Sequence, residues 1–124
     1  METYVADLSD LDDLQRLAAA FRDHLERSYP DDAALRENLR RLLTTGEAEF
    51  FLTVDDTRRG VGYIQQRYRS SLWLGGLEAT LEDLFVAPTS RRHGVATFLV
   101  QFAVERAKNR GCRAIKLDTN ESNH

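Results

Sequence analysis

The sequence predicts an α/β fold of mixed α+β type, with elements in the order β-α-α-β-β-β-α-β. Three observations carry this. Leu84, Phe85 and Val86 form an apolar run suited to a buried strand, and Pro88 stops it because proline cannot donate to a ladder. Ala96, Leu99, Val100, Ala103 and Ala107 then recur at three- and four-residue spacing, the signature of a helix face. Two more helical patterns occupy the first third of the chain, and two β-type runs around a polar turn separate them from this strand–helix unit.

A short first strand is expected over 3–6. Ser9 is read as the N-cap of the first helix, with Asp10, Asp12 and Asp13 at the positive end of its dipole. Leu11, Leu14, Leu17, Ala18, Phe21 and Leu25 mark its apolar face, and Tyr29-Pro30-Asp31-Asp32 breaks it. Ala34, Leu35, Leu39, Leu42 and Leu43 mark a second helix ending near Gly46. Strands follow over 50–54 and 61–69, joined as a hairpin by the polar turn 55–60. A second turn over 70–76 contains Trp73 and leads to the central strand, 79–86. The last helix is expected over 97–110, with Gly111 at its C-terminus, and a final strand over 114–118.

Composition sets bounds on function. A chain of 124 residues with 42% hydrophobic and 30% charged residues fits one globular domain, 1–124, with a single core. The net charge of -3 argues against nucleic acid as a partner. A single cysteine, Cys112, excludes an internal disulfide framework and reads as a buried spacer. No apolar run approaches membrane-spanning length and no signal peptide opens the chain, so the expected location is the cytoplasm. No cluster has metal-ligand spacing, so no metal is expected.

The loop after the central strand carries the first chemical signal. A helix start offers unpaired N–H groups and a positive dipole end, Gly94 lets an anion approach the backbone, and Arg91 and Arg92 add positive charge. Arg91-x-x-Gly94-x-Ala96 resembles the acyl-CoA signature of the GNAT superfamily of N-acetyltransferases, Q/R-x-x-G-x-G/A. The preceding Leu81-Glu82-Asp83-Leu84-Phe85-Val86 is similar to the strand of polyamine and diamine acetyltransferases in that superfamily. The resemblance implies a GNAT-like mixed central sheet and acetyl-CoA as co-substrate. It implies that backbone groups of Phe85, Val86 and Ala87 bind the pantetheine arm, and that an N–H of Phe85 or Val86 polarises the thioester carbonyl. The diphosphate would rest on the segment Arg91, Arg92, His93, Gly94, Val95, Ala96 and Thr97, and Asn123 would open a further cofactor-binding helix. It also implies that Tyr29, Asp31, Asp32 and Glu37, near the junction of the first two helices, contact the acceptor. In the family a further α-β-β segment follows and its helix carries a tyrosine acid; the sequence is expected to stop short of it. That would leave 114–118 as an edge open to homodimer formation.

Strand alternation puts Thr80, Glu82, Leu84 and Val86 on one face and Leu81, Asp83 and Phe85 on the other. Glu82 is the leading candidate for the base that deprotonates the ammonium, because desolvation on a half-buried strand raises a carboxylate pKa; Asp83 is the second. Tyr63 and Tyr68 read as packing residues, His93 as part of the phosphate loop, and His24 and His124 have no supporting constellation. The leading function is an N-acetyltransferase acting on a small-molecule amine. A non-catalytic acyl-CoA-binding regulatory module is the alternative, and an interaction domain using the open edge is a third reading.

Overall fold

The computed structural model describes residues 1–118. Asn123 lies outside them. Five strands form one mixed sheet in chain order: β1 (Glu2–Val5), β2 (Glu49–Val54), β3 (Gly60–Ser71), β4 (Gly76–Val86) and β5 (Ala114–Leu117). Neighbours are antiparallel except β4 and β5, which run parallel. That pairing needs a crossover, and α3 (Val95–Asn109) supplies it. Between β1 and β2 lie α1 (Leu11–His24) and α2 (Asp32–Thr45). Among the described residues β5 is an outer strand.

Side-chain alternation divides the core into two layers. Phe50, Leu52 and Val54 of β2 join Leu14, Leu17 and Phe21 of α1 and Leu39 of α2 on one face. Phe51 of β2 points the other way, with Ile64, Leu99 and Ala103 against α3. Each fully buried Leu or Phe contributes about 1.5–3 kcal/mol of transfer free energy, so both helix layers are held chiefly by burial. The approach of α3 to β3 depends on Gly62. A Cβ there would sit 3.0 Å from Val95 Cγ1 and 3.1 Å from the Phe85 carbonyl oxygen. Glu49 fixes the far half of α3 by accepting from Arg106 Nη2 at 2.6 Å and from Tyr68 Oη at 2.5 Å. Tyr68 is therefore a polar tie as well as a packing residue.

Several boundaries differ from the sequence reading. Ser9 is not a helix cap. Asp7 caps a short 3-10 turn over Leu8–Asp10, accepting from Ser9 N, and α1 starts directly after it. The short oxygen of Asp7 reaches the orphan amide two residues on, which Ser9 cannot do from inside the turn. Helix α3 begins at Val95, two residues early, because Gly94 adopts a left-handed φ of 78° and resets the chain. Val95 is buried in its apolar face, whereas Ala96 is exposed. Strands β3 and β4 run past their expected ends, leaving only 72–75 as the turn, with Trp73 at its tip. Cys112 is only half-buried.

Candidate active site

The strongest departure from the sequence reading is in β4. Gln65 pairs with Asp83 and Gln66 with Leu81, so Glu82 is an extra residue bulged out of the ladder. The bulge resets the alternation. Leu81 packs in the α3 layer together with Val86 and Leu84, although it stands an odd number of residues from them. Glu82 and Asp83 consequently line the same cavity, on the α1/α2 face, rather than opposite faces. Regular alternation fails here because two β4 residues oppose one step of β3.

The two carboxylates have different surroundings. Burial pushes the Asp83 carboxyl up to about 6, aided by the charges of Glu82 and Asp118 and opposed by Arg27 and Arg67. Glu82 Oε1 is paired with Arg67 Nε at 2.8 Å. Gln65 bridges the group: its amide nitrogen donates to Asp83 Oδ2 at 3.0 Å and its oxygen accepts from Arg67 Nη2 at 3.1 Å. Behind them Tyr63 packs on Phe50, and burial, with the nearby Asp83, raises its hydroxyl pKa well above the usual value. Gln65 and Arg67 were not singled out from the sequence; only their register opposite the bulge reveals them.

The cavity has a volume of about 210 Å³ and lies beneath the α1–α2 connection. Of the four acceptor candidates, the structure brings only Tyr29 to it. Asp31 caps α2 by accepting from Ala34 N at 2.8 Å, and Asp32 accepts from Arg22 Nη1 at 2.8 Å; both line a separate shallow groove. Glu37 pairs with Arg40 at 3.5 Å. These three acids serve helix ends and surface pairs, which is why an acidic helix connection alone did not reveal their role.

A second cavity, of about 530 Å³, adjoins the first at Phe21, which lines both. Strand β5 pairs with β4 only from Glu78 to Leu81, and Asp118 N extends this by donating to Leu81 O. Beyond that point no described strand lies beside β4. Ala87 N donates to Val61 O, so by alternation the Phe85 N–H also faces β3. The groups facing the open edge are those of Leu84 and Val86, and Val86 O accepts from Arg91 Nε at 3.0 Å. Of the two N–H groups expected to polarise the thioester carbonyl, that of Phe85 belongs to the ladder and that of Val86 faces the open edge, as does that of Leu84; the N–H of Ala87 also belongs to the ladder. Leu84 was missed because pairing parity cannot be read from one strand.

The loop after β4 is shaped for an anion. Arg92 and Gly94 both have left-handed φ values, 71° and 78°. A Cβ on Gly94 would find only Phe98 Cε2, at 3.9 Å, so the space beside it is open. Phe98 N donates to Gly94 O, and the amides of Val95, Ala96 and Thr97 precede the first intrahelical bond. Arg91, Arg92, Ala96 and Thr97 line the cavity; His93 is exposed and does not. Arg91 lies over the Phe85 ring at 5.6 Å, and Phe85 stacks on Phe21 at 5.2 Å. His24 also lines the cavity, 6.4 Å from the Phe85 ring; its place at the end of α1 gave no hint of this.

The family model described as the acetyltransferase (GNAT) family matches residues 11–124. The chain belongs to the GNAT acetyltransferase family. The domain is similar to the aminoglycoside N(6')-acetyltransferase type 1 of Salmonella typhimurium, with 29% identity over 106 residues, 82% of this chain and 71% of that protein. It is also 33% identical to the enzyme of the same name from Acinetobacter genomosp. 13 over 89 residues, 68% of this chain and 60% of that protein. A solved structure described as a probable acetyltransferase superposes with a TM-score of 0.91 at 26% identity, covering 100% of this chain and 82% of the other. An aminoglycoside 6'-N-acetyltransferase from Acinetobacter haemolyticus shares the fold at 24% identity and a TM-score of 0.78, covering 97% of this chain and 80% of the other. This GNAT domain is thus an acetyltransferase enzyme, and GNAT acetyltransferases use acetyl-CoA as co-substrate. Among the described residues no helix is long and apolar enough to cross a membrane.

Proposed function

We propose that this domain transfers the acetyl group of acetyl-CoA to a primary amine of a small molecule by direct attack, with Asp83 receiving the ammonium proton. The observation that carries the reading is the bulge at Glu82. It aims a carboxyl with a pKa of about 6 into one cavity, next to a second cavity that ends on a glycine-bearing helix start. The relatives named for aminoglycoside acetylation support an amino group as the acceptor atom.

The residues fit the co-substrate. The amides of Val95, Ala96 and Thr97 and the side chains of Arg91 and Arg92 would hold the diphosphate, and the open space at Gly94 admits it. The N–H groups of Leu84 and Val86 face the open edge of β4 and can donate to carbonyl oxygens there. Acetyl-CoA supplies an acetyl thioester when bound. Amines of ordinary pKa are protonated at neutral pH and cannot attack a thioester. Asp83, ionised above about pH 6, attracts the ammonium and accepts its proton. Glu82, the sequence's first choice as base, holds Arg67 in place and supplies the negative charge that helps raise Asp83. Gln65 fixes the orientation of both.

The test is release of CoA thiol from acetyl-CoA in the presence of a primary amine across pH 5–8. The value of kcat/KM is expected to rise about tenfold per pH unit below 6 and to level above it. Binding of CoA without thiol release for any primary amine would sink the reading.

A further inference from the structure

We propose that the acceptor of this domain is a monoamine on a compact apolar body, of the arylalkylamine class, rather than a polycation. The proposal rests on the acetyl-transfer reading of the same site and names its substrate class.

The lining of the acceptor cavity is the first ground. Away from Asp83 one wall is apolar, built by Ala18, Leu25, Leu35, Leu39, Leu42 and Phe50, and Tyr29 and Asn38 add neutral polar groups to the lining. A hydrocarbon ring placed against that wall is met by carbon and gains by leaving water. An ammonium group placed against that apolar wall would lose its hydration without a charged partner.

Charge is the second ground. Among the described residues the carboxylates lining the cavity are Glu82 and Asp83, both at its β4 end, and Glu82 is already paired with Arg67. Two guanidinium groups, those of Arg22 and Arg27, line the same cavity. Arg22 is committed to Asp23, Asp32 and the Pro30 carbonyl, and the charge of Arg27 reaches Asp83. Asp31, Asp32 and Glu37, the acids that would serve further ammonium groups, do not line the cavity. One ammonium therefore finds a carboxylate, and a second meets the apolar wall, positive charge or the neutral groups of Tyr29 and Asn38.

Size is the third. A volume of about 210 Å³ accommodates one aromatic ring with a short amine arm whose nitrogen reaches Asp83.

The experiment compares 2-phenylethylamine, spermidine and kanamycin on the wild-type chain, by thiol release with acetyl-CoA and by calorimetry with CoA present. The expected result is a kcat/KM for 2-phenylethylamine at least about tenfold above either polycation, with Kd in the same order. Equal or better use of spermidine or kanamycin would overturn the proposal while leaving acetyl transfer standing. If no amine releases thiol, acetyl transfer fails, and calorimetry still decides the occupant: tenfold tighter 2-phenylethylamine supports the proposal, and any other order overturns it. Leu35→Asp puts a carboxylate on the apolar wall, in the first turn of α2 where negative charge is tolerated. In the folded variant, confirmed by circular dichroism, the preference for 2-phenylethylamine over spermidine should fall at least about tenfold; an unchanged preference would place the apolar body elsewhere.

Discussion

Replacing Asp83 with asparagine should make the protein more stable at neutral pH and far less active. Asp83 has its carboxyl raised from 3.8 to about 6, chiefly by burial. Its folded state therefore holds the proton more tightly than the unfolded chain, so its stabilising contribution is fully present below about pH 4 and is lost as pH rises through 6. A rise of about two pK units corresponds to about 3 kcal/mol lost between these limits, at 1.36 kcal/mol per unit. Asparagine is neutral at every pH and escapes that loss. Its Oδ1 can still accept from the Gln65 amide but without the carboxylate's charge, a loss of about 1 kcal/mol, so the net gain at pH 7 is about 2 kcal/mol. For a chain of this length 1 kcal/mol moves the melting temperature by about 4 °C, so Asp83→Asn should melt about 8 °C higher at pH 7. The gain should vanish at pH 4. Urea unfolding at both pH values measures it, and thiol release should fall by about 10²-fold or more at pH 7. A variant no more stable than wild type at pH 7, or equally stabilised at both pH values, would refute the assignment of a desolvated carboxyl at the bulge.

Gly94→Glu should weaken CoA binding by at least about tenfold by calorimetry, since a left-handed φ of 78° strains the new residue and its charge faces the diphosphate; unchanged affinity in a folded variant would remove the phosphate site. Gly62→Val should cost about 1–3 kcal/mol in urea unfolding, because Val95 and the Phe85 carbonyl already stand 3.0–3.1 Å from where its Cβ would lie. Glu82→Gln should lower the apparent pKa of the kcat/KM profile by removing a negative charge beside Asp83, with a smaller loss of rate than Asp83→Asn; an equal loss with an unshifted profile would return the base to Glu82.

Much of the fold can be read along the chain because it depends on local pattern. The apolar spacings of α1, α2 and α3, the stop at Pro88 and the left-handed glycines 46, 94 and 111 are properties of neighbouring residues. The proposed phosphate loop is legible for the same reason: its amides, its glycine and its arginines lie within one strand–helix junction. The candidate carboxylates are legible as residues and not as an arrangement. Which way Glu82 and Asp83 point depends on β3 meeting β4 one residue out of step, and a single strand does not carry its partner's register. That the amides of Leu84 and Val86 face an edge without a partner strand among the described residues follows from β5 leaving β4 after Leu81, which is a relation between three strands. The diversion of Asp31, Asp32 and Glu37 to caps and surface pairs follows from where Arg22, Arg40 and the first turn of α2 sit in space. Local periodicity thus determined the elements and the loop. Pairing, burial and competition between partners, which exist only once the chain has folded, decided which groups face the chemistry.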